Sequence, residues 1–224
     1  MEDLTKIPQW TIELFGVPVV FNIETLVMTW IVVGILITFG FLATRKISLL
    51  HNPFQVVGEM IVNAFYGLTR DALDAEMAKK YFPLICSLFM FLLMSNWLGI
   101  FPWLSEPTKD LNTPLGLGIL GFIISHYAGI RTKGIKAYTK QYFEPMFFMA
   151  PLNIIGELSR VVSISFRLYG NILGGAIIIL VVSHLIYSLI LPPLLIAFFS
   201  LFIGTIQAFV FTMLTLVYIS TQVK

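Results

Sequence analysis

Charge is what this chain lacks most. Between Leu168 and Val223 there is no aspartate, glutamate, lysine or arginine. Over all 224 residues only 12% are charged and 58% are hydrophobic, with a mean hydropathy of +0.90. A soluble domain of this length cannot cover its surface with so few charges, so the composition excludes one and indicates a polytopic membrane protein. Cysteine is nearly absent too. Cys86 stands alone in an apolar run, which excludes an intramolecular disulfide and reads as a buried bystander. No basic segment near Met1 leads into a short apolar core. Glu2, Asp3, Lys6 and Glu13 make the start mixed and polar, so no cleaved signal peptide is expected. A net charge of +2 is too small to point to nucleic acid. Internal repeats and Gly-Ser linkers are missing, so a single membrane domain over 1–224 is expected. Neither a nucleophile–base pair nor a metal-ligand cluster is present, so catalysis by the chain itself and a bound cofactor are not expected.

What is present is a series of apolar runs near the bilayer-crossing length of about 20 residues. They predict spans at about 25–44, 81–102, 111–130, 146–190 and 194–219. Pro192 and Pro193 separate the last two, because proline cannot continue a helix. Phe54, Val57, Ile61, Phe65 and Leu68 recur at helical spacing with polar residues between them, predicting an amphipathic helix over about 52–76 in the membrane plane. The expected fold is therefore an all-α polytopic membrane protein. It has five crossings, an in-plane helix, and two long tilted helices near the C-terminus. With the N-terminus outside, the inner side collects Arg45, Lys46, Arg70, Lys79, Lys80, Arg131, Lys133, Lys136, Lys140 and Lys224. The outer side keeps only Lys6 and Lys109, a strong positive-inside bias. Arg160 and Arg167 are left over, and both fall within the fourth segment.

That segment carries the functional signal. A helix over 146–190 would be about 67 Å long against a hydrocarbon core of about 30 Å, which predicts a tilt of roughly 60°. Tilt is set by packing against neighbours, so a partner within the membrane is implied. Asn153, Glu157, Arg160, Ser163, Arg167 and Asn171 are spaced at the 3.6-residue helical period and form one polar stripe. Gly170, Gly174 and Gly175 extend it with room for a helix or water to approach. Intramembrane ionisable groups face a partner or a wet cavity and mark an ion path. Plainer alternatives exist for some of them. Glu157 and Arg160 can form an i,i+3 ion pair, and the Ser163 hydroxyl can bond back to its own helix. Snorkelling to the headgroups fits Arg167 poorly, because it lies near the middle of the segment. An arginine there costs about 3 kcal/mol, and Glu157 is too far along the helix to pair with it. Its anion is therefore expected on another subunit. In the last span Ser200, Gly204, Gln207 and Thr215 are compatible with one face, and the Gln207 amide needs hydrogen-bond partners in lipid. Asn96 is similar in the second span. His126 and His184 are candidate proton relays, with interface or loop-end placement as the plain alternative.

The stretches PLNIIGELSRVVSISFRLYGNILGG and LFIGTIQAFVFTMLTLVY resemble the signature helices of the a subunit of bacterial F-type ATP synthases. SNWLGIFP and SHYAGIRTKG resemble that family's second-span motif and third-span exit. The resemblance covers nearly the whole chain. It implies a multi-pass stator subunit of the bacterial inner (plasma) membrane, N-terminus outside and C-terminus cytoplasmic. It also implies a c-subunit ring, a b-subunit peripheral stalk and the other synthase subunits as partners. Two half-channels would carry protons or sodium to and from the ring, with Arg167 as the essential arginine, Asn171 as the channel asparagine and Gln207 as the helix-facing glutamine. Asn153, Glu157 and Ser163 join them as ion-translocation candidates; Asn96, His126, Arg160, His184 and Ser200 are candidate channel-lining residues. The chain departs from its family at Ala176, where many relatives carry glutamate, and at Ser200, where some carry histidine. Glu157, Asn153, His184 or bound water are the substitutes this leaves open. Competing readings are a small secondary transporter, a class built on internal repeats that this chain lacks, and a membrane anchor of another complex, which leaves the unpaired arginine unexplained.

Overall fold

The computed structural model describes residues 9–14, 17–45, 53–101, 104–143, 148–185 and 191–224. Five of its helical segments are long and apolar enough to cross a membrane, and the fold is that of an all-α polytopic membrane protein. A short antiparallel hairpin precedes them, β1 (Gln9–Leu14) against β2 (Val17–Asn22), with Gln9 opposite Asn22. Helix α1 (Ile23–Thr44) follows directly. The Asn22 side chain accepts from the Glu24 N–H at 3.2 Å, and Glu24 sits in the first turn, where a carboxylate favours the positive helix end.

Helix α2 (Pro53–Ala72) turns through Leu73 and Asp74 into α3 (Ala75–Trp97). The amphipathic pattern is only partly used against the bundle. Phe65 is buried, Ile61 and Leu68 pack beside it, and Val57 is exposed. Hydropathy places the start of the second span at 81, but α3 begins at Ala75 and runs through Pro83. The charged turn with Glu76, Lys79 and Lys80 is helical without being greasy, so hydropathy marks the lipid-buried length and not the hydrogen-bonded one. Short 3₁₀ turns at Leu98–Ile100 and Pro107–Lys109 lead into α4 (Asn112–Lys133). Gly134, with φ of 81°, supplies the left-handed residue that ends α4 before α5 (Ile135–Phe143).

Helix α6 (Met149–Leu185) has 37 residues, about 55 Å of helix at 1.5 Å per residue. Residues 144–147 and 186–190, at the ends of the predicted 146–190 helix, lie outside the described residues. The final span is not one regular helix. Helix α7 (Leu191–Ala197) passes through a π-helical turn, Phe198–Ile203, into α8 (Gly204–Val223). The proline pair does not delay this span to 194. Pro192 and Pro193 occupy the first turn of α7, where a missing N–H costs nothing.

Helix α8 is the hub. One buried cluster joins Phe65, Tyr81, Ile85, Ala128, Leu216 and Ile219 from α2, α3, α4 and α8. A second joins Leu88, Leu92, Ile164, Leu168, Ala208 and Phe211 from α3, α6 and α8. Lipid offers no hydrophobic drive between helices, so close packing holds them, and small residues permit it. Gly121 of α4 faces Thr215 and Gly118 faces Ser165 and Val161. Helix α1 is peripheral, with Val32 its one buried side chain. Hydrogen bonds define two ends of the bundle. At the first, Thr25 bonds Asp110 and Asn96 bonds Gly204. At the second, Ser220 bonds the Ala72 carbonyl and Gln222 bonds Glu157.

Candidate functional site

Because α6 is one continuous helix, the predicted stripe survives as a face, but its members have different surroundings. At the second end Glu157 accepts from Arg160 Nη1 and from Gln222 Nε2, each at 2.9 Å. The Glu157–Arg160 pair is therefore an ion pair, and Arg160 also lies over the Tyr218 ring. The network continues. Tyr138 Oη donates to Gln222 at 3.1 Å, Tyr142 Oη lies 3.0 Å from Tyr138 Oη, and Tyr142 Oη lies 3.2 Å from His126 Nε2. Burial, then the Tyr142 hydroxyl and the Glu157 charge, push the Tyr138 phenol well above its ordinary value, so it stays a donor. Asn153 donates to the Tyr142 carbonyl at 3.1 Å. Asn153, Glu157, Arg160 and Gln222 line a cavity of about 230 Å³.

The first end carries a second cavity, of about 390 Å³, lined by Asn96, Glu106, Asn171, Ala176, Ser200 and Gln207 among others. Asn171 Nδ2 donates to Gln207 Oε1 at 2.9 Å, tying α6 to α8. Gln207 is 4% exposed and its Nε2 has no hydrogen-bond partner among the described residues. Asn96 is held from both sides, donating to the Gly204 carbonyl and accepting from Thr108, each at 2.8 Å. The π-helical turn presents Ser200, whose hydroxyl donates to Glu106 Oε1 at 2.9 Å. Burial raises the Glu106 carboxyl above the usual range, partly offset by the Ser200 hydrogen bond and the Lys109 charge. A third cavity, of about 540 Å³, lies beside Glu24, Thr25, Asp110 and Tyr169, and shares Ser105, Glu106 and Lys109 with the second.

Arg167 lies on α6 between the two ends and lines none of these cavities. Its side chain is exposed, and among the described residues it makes no ion pair or hydrogen bond. Ser163, one turn away, is exposed as well. Ten residues of helix, about 15 Å, separate Arg167 from Glu157, and four, about 6 Å, from Asn171.

The stripe is thus divided rather than continuous. Asn171, Gln207, Asn96 and Ser200 come together at the first end; Asn153, Glu157, Arg160 and His126 gather at the second. His184 is exposed, its ring lying 3.1 Å from the Leu180 carbonyl of its own helix. Of the substitutes considered for an acid at position 176, Glu157 and Asn153 therefore line the opposite cavity, and His184 does not line this one. The carboxyl that does is Glu106, in the connection between α3 and α4. Helical periodicity cannot reveal a loop residue; the available signal was an acid beside Pro107 in a short connection between two greasy spans.

A family model described as the ATP synthase A chain matches residues 26–220. ATP synthase subunit a of Moorella thermoacetica is 37% identical over 212 residues, covering 95% of this chain and 96% of the relative. The proteins of the same name from Priestia megaterium and Bacillus subtilis are 35% and 34% identical, each match covering 96% of both chains.

Proposed function

The chain belongs to the ATP synthase A chain family, and from that membership we propose how its polar side chains move ions. It is an ion-translocating stator subunit of an F-type ATP synthase, part of the membrane sector of that complex, and not a catalyst by itself. It sits in a bacterial plasma membrane, with the first end of the bundle outside and the second in the cytoplasm. The cation asymmetry supports this orientation. Helix α2 lies along the cytoplasmic face. Helix α6, at about 55 Å, exceeds the roughly 30 Å hydrocarbon core and leans by roughly 55–60°. Its exposed face, with Ser163 and Arg167, meets a ring of c subunits, while a peripheral stalk of b subunits holds the chain against rotation.

Each ring subunit presents a carboxyl group that is neutral while it faces lipid. A fixed positive charge within about 4–6 Å lowers a carboxyl pKa by about 1 to 3 units. Arg167 therefore favours the ionised form as a ring site passes. The released ion leaves through the cavity at Glu157, Asn153 and Gln222, and the next site loads from the cavity at Asn171 and Gln207. Between the two, the guanidinium repels a cation that would otherwise slip from one path to the other. A membrane potential supplies about 2.3 kcal/mol per charge per 100 mV, which turns the ring and drives ATP synthesis elsewhere in the complex. The coupling ion, proton or sodium, is set by the ring's own site.

One observation carries this reading: an exposed arginine, without a partner among the described residues, between two separate polar cavities. Arg167→Ala is expected to leave the complex assembled, with its ring, and to reduce ion-driven ATP synthesis in vesicles to background. Normal coupled synthesis by that variant contradicts the proposal.

A further inference from the structure

The outer access path contains one carboxyl group whose surroundings are built around it. Among the described residues, Glu106 is the single acid lining the cavity that ends at Asn171 and Gln207. It also lines the adjoining cavity toward Glu24 and Asp110, so it stands where the two meet. Ser200 donates to it from the π-helical turn, 94 residues further along the chain. Gly99 makes room for it: a β-carbon there would collide with the Glu106 carboxyl. Further in, the Gln207 amide nitrogen is buried and has no partner among the described residues, so the cavity holds an unsatisfied donor that calls for water or a passing acceptor.

We infer that Glu106 is the proton-accepting and proton-donating group of the outer access path, and that it supplies the acid missing at Ala176. This rests on the reading of the chain as an ion-translocating stator. The Glu106 carboxylate takes a proton from outer hydronium, leaving a neutral carboxyl and a water molecule. It then gives that proton, through water beside Asn171 and Gln207, to an ionised ring carboxylate, and returns to its charged form. No oxidant, reductant or net co-reactant is required. Ser200 stabilises the charged form by hydrogen bonding to it; burial favours the neutral one. The other titratable groups around it are Lys109 and Asp110 in its own connection, Glu24 of α1 and Tyr169 of α6. The residues of α3, α7, the π-helical turn and α8 that line these cavities bring none.

The experiment uses the whole synthase in vesicles and reads ion-driven ATP synthesis against outer pH. Wild type is expected to lose rate as outer pH rises through the raised Glu106 value. Glu106→Gln is expected to lower the rate about a hundredfold, the smaller end of what a positioned proton-transfer group supplies. Adding Ala176→Glu to Glu106→Gln returns a carboxyl to the same cavity and is expected to restore rate and pH dependence together. Glu106→Asp, with its lower intrinsic pKa, shifts the profile to lower pH and keeps the inference testable should Glu106→Gln not assemble. A Glu106→Gln or Glu106→Asp complex with the wild-type rate and profile overturns the inference, as does transport that depends on sodium and ignores outer pH. If Arg167→Ala still abolishes synthesis in those preparations, only the role of Glu106 falls. If Arg167→Ala leaves synthesis intact, the stator reading falls with it.

Discussion

Asn96 shows how a polar side chain survives within a membrane protein. It is 1% exposed and uses both ends of its amide, one to Gly204 and one to Thr108. Leucine at this position leaves a buried hydroxyl and a buried carbonyl without that partner, at about 1–3 kcal/mol for an orphaned group. Asn96→Leu is therefore expected to lower the thermal unfolding midpoint of the detergent-solubilised subunit, while an apolar substitution at lipid-facing Ile37 does not. Arg167 and Glu106 mark the limits of what the sequence discloses at this scale. A charge in an uncharged run is visible without any structure, and its lack of a local acid already points to a partner outside the chain. Glu106 is hidden because its meaning depends on Ser200 and Gly99, one distant in sequence and the other silent by its small size.

Among elements, α6 and the last span behave differently. The 3.6-residue spacing of Asn153 through Asn171 made the face of α6 readable, because a regular helix preserves period over its whole length. The π-helical turn at Phe198–Ile203 was not readable, since nothing in its apolar residues departs from an α-helical pattern. Such turns are frequent at functional sites, and this one carries Ser200 toward Glu106 and Phe199 onto Gly175. A β-carbon at Gly175 would lie 2.8 Å from the Phe199 ring. Gly175→Val therefore wedges α6 away from the turn, and overpacking of this kind costs about 1–3 kcal/mol. The expected result is a lower thermal midpoint together with reduced synthesis, because the same displacement separates Asn171 from Gln207. An unchanged midpoint would mean that the turn yields freely.

As a whole the molecule is half of a machine. Its α6 face leaves an arginine without a counter-charge among the described residues, and the cavities at Asn171 and at Glu157 lie at opposite ends and share no described lining residue. Five apolar runs were enough to anticipate the five helical segments long and apolar enough to cross a membrane. The separation of the polar stripe into two sites was not legible, because it depends on which neighbours α8 and the α3–α4 connection bring to each part of α6. The most direct test of the central claim is side-specific access. In a Cys86→Ser background, Ser200→Cys and Asn153→Cys complexes are treated with a small charged thiol reagent in right-side-out and inverted vesicles. Modification is expected for the Ser200→Cys complex only from outside and for the Asn153→Cys complex only from the cytoplasmic side. Reaction of both from the same side would contradict it.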